Sequence, residues 1–420
     1  MHMRDRVQAH PLYLIYSATL ALFLSVIWTL NLVYQVETVG LSPFQIVLIG
    51  TVLELSYFLM EVPTGIVADL YSRRLSVIVG TLILGAGFVL MGAVPSFAVL
   101  LLSQVICGIG YTFLSGALEA WIADEIGEAA ANNAFIRGSQ AETLGTIIGI
   151  PIAIGLALWT LAVPIVVGGT ATVALGLLLI WLMPERGFTR VPQGDRTTWQ
   201  SMAGTLHDGV AMVRRRPVLL TILAIAATFG TFNEGWDRLA VPHMLENFSF
   251  PDWGWSTTVW IGGLRLVFEL LGVGALEIVR RRVDLSNHVQ TTRTLLAINA
   301  SLMLGVLAFA LAGGFWFAAA TMTAASLCRH IIYPIKTAWI NQSLDPRVRA
   351  TVMSMSGQAD AFGQMAGGPA VGGIGSLFGL RWAMAAASAA LAPGLLLYGR
   401  ALRQDSSVLV VATEEESAAT

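Results

Sequence analysis

Gln140-Ala141-Glu142-x-x-Gly145-x-x-x-Gly149-x-Pro151 returns as Gln358-Ala359-Asp360-x-x-Gly363-x-x-x-Gly367-x-Pro369, a shift of 218 residues in a chain of 420. The same shift carries Ala120-Trp121-Ile122 onto Ala338-Trp339-Ile340 and Gly155 onto Gly373, with no gap between. A register held without slippage from 120 to 155 marks a duplication. Each copy also sets one acid inside a strongly apolar stretch. Halves repeated in this way are how many membrane carriers assemble two bundles around a central site.

Composition points the same way. The chain is 55% hydrophobic and only 12% charged, against roughly 25% charged in soluble domains, and its mean hydropathy is +0.71. So few charges cannot cover the surface of a water-soluble protein of this size, so most side chains must meet lipid. A formal net charge of −2 with no long basic run gives no footing for nucleic acid. Cys107 and Cys328 both lie in apolar stretches, and two cysteines make no disulfide framework. No His-Glu-x-x-His, phosphate loop or nucleophile–base pair is visible, so neither an enzyme, a metal nor a cofactor is expected.

A window of about 19 residues finds candidate spans at 11–34, 44–68, 75–94, 97–121, 133–157 and 160–183, then at 217–240, 255–279, 289–312, 315–340, 351–377 and 380–400. Each is long enough, as a helix, to cross a hydrocarbon core of ~30 Å. Helices are required because open strands would leave backbone groups unpaired in lipid. The expected fold is therefore all-α and integral to the membrane, with twelve transmembrane helices. Residues 1–183 form one six-helix bundle and 217–400 the other, joined by a linker over 184–216 and followed by a disordered tail at 401–420. Within the linker Trp199, Met202, Leu206, Val210 and Val213 form an apolar stripe, which suggests a helix lying on the inner membrane surface.

Arginines fix the orientation. Arg73, Arg74, Arg186, Arg214, Arg280, Arg281, Arg282 and Arg347 fall on the side shared by both termini, while the opposite loops hold Glu37, Glu246, Asp252 and Arg381. The positive-inside rule puts both termini in the cytoplasm, in a cell or inner membrane.

After the second span comes Gly65-Ile66-Val67-Ala68-Asp69-Leu70-Tyr71-Ser72-Arg73-Arg74. This resembles the loop signature of the major facilitator superfamily, G-x-x-x-D-[RK]-x-G-[RK]-R. Gly65, Asp69, Arg73 and Arg74 match, while Leu70 and Ser72 replace a basic residue and a glycine. The resemblance implies two pseudo-symmetric six-helix bundles, a monomer, transport by alternating access, and gating charges at Asp69, Arg73 and Arg74 that bridge to neighbouring helices or anionic lipid heads. A degenerate copy, Glu277-x-x-x-Arg281-Arg282, falls at a shift of 208 residues, which also carries Glu61 onto Glu269. Because the first span lines the cavity in this superfamily, Trp28, Asn31 and Tyr34 become candidate substrate contacts. Gly145-x-x-x-Gly149-Ile150-Pro151 is similar to the fifth-span signature of drug:proton antiporters with its proline displaced by one residue, and Gln104 stands where that group carries an arginine. Small residues there have a second use, close helix packing.

Ionisable groups inside spans are costly and mark function by default. Glu142 lies nine residues past Asn133 and Asp360 nine past Thr351, each ~13 Å into the core; Glu54 is at similar depth. Desolvation favours the neutral form of an acid held in a low-dielectric core without a cation, which suits these three to carrying protons. Arg265 and Glu269, at i, i+4, are expected to pair. A bridge from Arg329 to Asp360 would either hold that acid ionised or serve as a contact that transport breaks, and both readings stay open. Glu234, with Asp237 and Arg238, suggests an outer vestibule or a plain structural pair. Trp236, Trp253, Trp255 and Trp260 suit an interfacial aromatic belt. The expected partners are a small-molecule substrate, protons and membrane lipids. Proton-coupled export of amphipathic organic compounds is the leading expectation. Uptake of a small organic anion, whose charge Arg265 and Arg329 would bind with Glu269 and Glu234 among the substrate contacts, a lipid flippase and a receptor or scaffold follow in that order.

Overall fold

The computed structural model describes residues 8–189, 217–284, 287–342 and 346–402. The expected surface helix in the linker and the tail beyond 402 lie outside them. The described residues are helical throughout, in α1 (Ala9–Trp28), α2 (Pro43–Leu70), α3 (Arg73–Ala93), α4 (Phe97–Leu114), α5 (Ala117–Ile126), α6 (Glu128–Ala157), α7 (Ala162–Leu182), α8 (Pro217–Asn247), α9 (Thr257–Arg282), α10 (His288–Ala310), α11 (Phe315–Gln342), α12 (Pro346–Phe378) and α13 (Leu380–Ala389). A further helix over 392–402 completes the last span, Leu380–Leu402.

Two compact units emerge from the contacts between helices. One comprises Met1–Ser201 with Asp252–Leu266, the other Met202–Pro251 with Val267–Thr420. Within the first, α1 packs on α6, α3 on α7, and α4 on both α2 and α3. Within the second, α8 packs on α12, α10 on α13, and α10 on α11. Three of the first unit's pairings thus recur in the second, α1 on α6 as α8 on α12, α3 on α7 as α10 on α13, and α3 on α4 as α10 on α11, as the sequence duplication predicts. Trp121 and Trp339, related by the repeat, are each 2% exposed; their indoles donate to the Pro184 carbonyl at 2.8 Å and to the Thr292 hydroxyl at 2.9 Å.

Several helices run beyond the spans expected from hydropathy. α6 starts at Glu128 rather than 133, and α8 continues to Asn247 rather than 240. Hydropathy detects only the apolar part of each helix. Side-chain caps are found elsewhere: Ser42 accepts from Gln45 N at the head of α2, and Ser72 from Leu75 N at the head of α3. The span expected over 97–121 is interrupted. Gly116, at φ +70°, separates α4 from α5, a conformation open to glycine and not to most side chains.

The first span departs most from a plain helix. After α1 the chain passes through Asn31–Val33 into a π-helical turn, Tyr34–Thr38. Asn31 and Gln35 are 0% exposed there, and both amide atoms of each lack a hydrogen-bond partner among the described residues.

Among the described residues nine helices are long and apolar enough to cross a membrane. The long helices that fall short are α8, α11 and α12. They are the ones that hold Glu234, Asp237, Arg238, Arg329, Lys336 and Asp360.

Candidate functional site

In the first unit, small residues bring two helices together beside the acid. A Cβ at Gly145 would lie 2.1 Å from the Ala18 carbonyl oxygen, and one at Gly149 2.6 Å from that of Leu22. Only glycine permits this approach of α6 to α1, and Ser25 Oγ closes it by donating to the Thr146 carbonyl at 2.8 Å. Glu142 is one turn before Gly145, so the same helix face presents its carboxyl next to α1. It lines a cavity of about 310 Å³ with Ser17, Leu20, Leu24 and Trp28 of α1, Thr146 of α6 and Arg265 of α9. Although α6 starts earlier than expected, Glu142 still falls at the centre of the 30-residue helix. It takes part in no ion pair among the described residues. The indole of Trp28 is fixed by donation to the Tyr111 hydroxyl at 3.3 Å and by the edge of Phe88, 5.5 Å between ring centres. Arg265 reaches the cavity because α9 closes on α6 at Gly262, where a Cβ would meet the Ile154 side chain at 2.5 Å.

The second unit repeats the device. Cβ atoms at Gly363 and Gly367 would lie 2.0 Å from the Ala227 carbonyl oxygen and 2.2 Å from the Thr231 methyl. Thr231 Oγ1 donates to the Gly363 carbonyl at 3.1 Å. Asp360, again one turn before the first glycine, is half-buried, and its Oδ2 accepts from Gln364 Nε2 at 2.9 Å.

Across from Asp360 is Lys336 of α11, whose charge acts on it. Lys336 is 9% exposed and is the chain's lone lysine. Its ammonium lies 5.0 Å from the centre of the Phe229 ring and 5.7 Å from that of Tyr333, and no direct ion pair joins it to Asp360. Sequence reasoning missed this residue as a site candidate. A single lysine inside an apolar span, one helix before the acid, is a signal that was there to be read.

The bridge considered between Arg329 and Asp360 is not the one formed. Arg329 holds Asp237 of α8 through two parallel contacts, Nη1 to Oδ1 and Nη2 to Oδ2, the second at 2.7 Å. Glu234 pairs with Arg238 at 3.2 Å, as the i, i+4 spacing predicts, and its side chain is 1% exposed. Trp236 leaves the expected belt for the core of the second unit, 5.6 Å from Phe309. Trp253 and Trp255 are exposed and cluster with the buried Trp260 at 5.1 Å.

The remaining candidates separate by environment. Tyr34 does not reach the cavity of Trp28; it is fully buried and donates to the Met91 carbonyl at 2.9 Å. Asn31 is buried one turn beyond Trp28 and is absent from that cavity's lining. Glu54 and Glu269 are half-buried on α2 and α9.

At the loop after α2, Asp69 is exposed, and Arg73 turns instead to Asp124 at the end of α5, at 2.6 Å, and to the Ala120 carbonyl at 2.8 Å. Arg74 donates to the carbonyls of Ile180 and Met183 at 2.7 Å, capping the C-terminal end of α7. Glu185 accepts from the Ser72 hydroxyl and the Arg74 amide. The first-unit loop thus ties three helices together. Its degenerate copy does not: Glu277 pairs with Arg280 and Arg281 on its own helix, with side chains 41% to 73% exposed. Arg282, also expected to gate, is exposed beside them.

A family model described as the Major Facilitator Superfamily matches residues 13–283. A relative from Bacillus subtilis (strain 168), the uncharacterized MFS-type transporter YxaM, is 25% identical over 370 residues, 85% of this chain and 86% of the relative. Among solved structures, a mutant form of the nucleoside transporter NupG superposes with a TM-score of 0.77 at 12% identity, covering 94% of this chain and all of the other. A bacterial homolog of the human lysosomal transporter Spinster, inward-facing and occupied, gives 0.72 at 17% identity, covering 93% and 96%. At these identities the structural likenesses speak for the fold alone.

Proposed function

The chain belongs to the Major Facilitator Superfamily of membrane transporters, and we propose that it couples proton entry to the export of small amphipathic organic compounds by alternating access. The reading rests on one observation: each unit holds a mid-helix acid, Glu142 or Asp360, beside a glycine-built helix contact and outside any direct ion pair among the described residues. Such acids are free to change protonation while the helices around them repack. Trp28, Leu20 and Leu24 give the first-unit cavity an apolar wall suited to an amphipathic guest. The arginine distribution supports a cytoplasmic side for both termini, and a monomer is the working unit of this proposal.

The likeness of Gly145 and Gly149 to the antiporter signature supports export weakly, since both glycines are used for helix contact. Arg265 and Lys336 favour a second reading, uptake of a small organic anion with protons. The two are separated in everted vesicles carrying an imposed proton gradient and challenged with amphipathic dyes. Export predicts dissipation of the gradient on dye addition, and Glu142→Gln or Asp360→Asn should stop it. Transport that survives both changes would end the coupling proposal.

A further inference from the structure

Lys336 sits in a setting that neither packing nor pairing explains. Burial of an ammonium is unfavourable unless a charge or several hydrogen bonds replace water. Here the ammonium makes no hydrogen bond or ion pair among the described residues, and it is held by the faces of Phe229 and Tyr333 at 5.0 and 5.7 Å. One acid of the second unit acts on it, Asp360. Asp237 of α8 is engaged by Arg329 in a two-point contact, a strong and geometrically specific pairing. Asp360 compensates Lys336 only at a distance, and one of its oxygens is bonded to Gln364. The cation is therefore desolvated and short of a contacting anion, and of the two rings that flank it Tyr333 is 68% exposed and open to stacking by a flat apolar group.

We infer that Lys336 is the anion-recognition residue of the transport site, and that the transported compound carries a carboxylate, sulfonate or phosphonate-type group next to a planar apolar moiety. This deepens the transporter reading and depends on it, but not on the direction of transport or on proton coupling. An incoming anionic group supplies the contact that Lys336 lacks. Tyr333 receives the ring, and the Asp237–Arg329 pair stays intact. Asp360, once deprotonated, competes with the guest for the same ammonium, so acid and substrate share one cation.

The test uses the purified full-length protein in neutral detergent and reads its apparent melting temperature, since preferential binding to the folded state raises it. The probes are benzoate, benzenesulfonate and phenylphosphonate, with benzamide as the uncharged control. At least one anion should raise the melting temperature in a saturable manner while benzamide does not. Lys336→Met should weaken that binding at least tenfold. Should this variant not fold, Lys336→Gln is expected to lose the response and Lys336→Arg to keep it. The inference is overturned if no anion stabilises the protein, if benzamide matches the anions, if an uncharged variant responds like the parent, or if only added phosphatidylglycerol stabilises it. Intact anion binding with no proton movement in vesicles would sink the coupling proposal and leave the role of Lys336 standing.

Discussion

At the scale of single residues, the partner a charge finds decides what it can do. Arg73 and Arg281 occupy corresponding places in the two repeats, yet Arg73 crosses to Asp124 with side-chain exposures of 18% and 23%, whereas Arg281 stays on its own helix at 71%. Arg73→Ala should destabilise the protein by about 1–3 kcal/mol, because it strands a partly buried carboxylate. Arg281→Ala should leave stability unchanged within error. Denaturant unfolding in detergent measures both, and equal losses would show that the two loops do the same work. Pairs within one helix were legible from spacing, as Glu234 with Arg238 shows. Pairs between helices were not: whether Arg329 meets Asp237 or Asp360 depends on how α11 is rotated, and spacing along one helix carries no information about that. The same blindness hid Lys336, whose neighbours come from α8 and α12.

Among the helices, the repeated glycines divide into two kinds. Gly145, Gly149, Gly363 and Gly367 leave no room for a Cβ, while Gly155 and Gly373, joined by the same repeat, have nothing within 4 Å of one. Gly145→Ala and Gly363→Ala should therefore each cost about 1–3 kcal/mol through overpacking and backbone shifts. Gly155→Ala and Gly373→Ala should be neutral or stabilise by up to about 1 kcal/mol, the usual gain of alanine over glycine in a helix. Thermal unfolding of the four variants tests the division; a destabilised Gly155→Ala would break it. The sequence pattern alone treated all six alike, since a repeat reports that a position is kept in both halves and not what stands opposite it. Helix ends were also hard to place, for hydropathy does not register polar terminal turns such as the start of α6 at Glu128 or the end of α8 at Asn247.

For the whole molecule, the duplication and the arginine distribution were readable from the start, because both are linear properties of the chain. The family followed from the loop that ends in Arg73 and Arg74. The orientation makes a direct prediction. In a background lacking Cys107 and Cys328, a cysteine at Asp252 should react with a membrane-impermeant maleimide on intact cells, and one at Asp284 only after permeabilisation. The reverse pattern would invert the topology. The chain's single lysine has a practical consequence of its own. Apart from the amino terminus, Lys336 offers the one primary amine in the molecule, so reductive methylation with isotopically labelled formaldehyde would place one reporter resonance between Phe229 and Tyr333, in a spectrum with no other side-chain amine to overlap it.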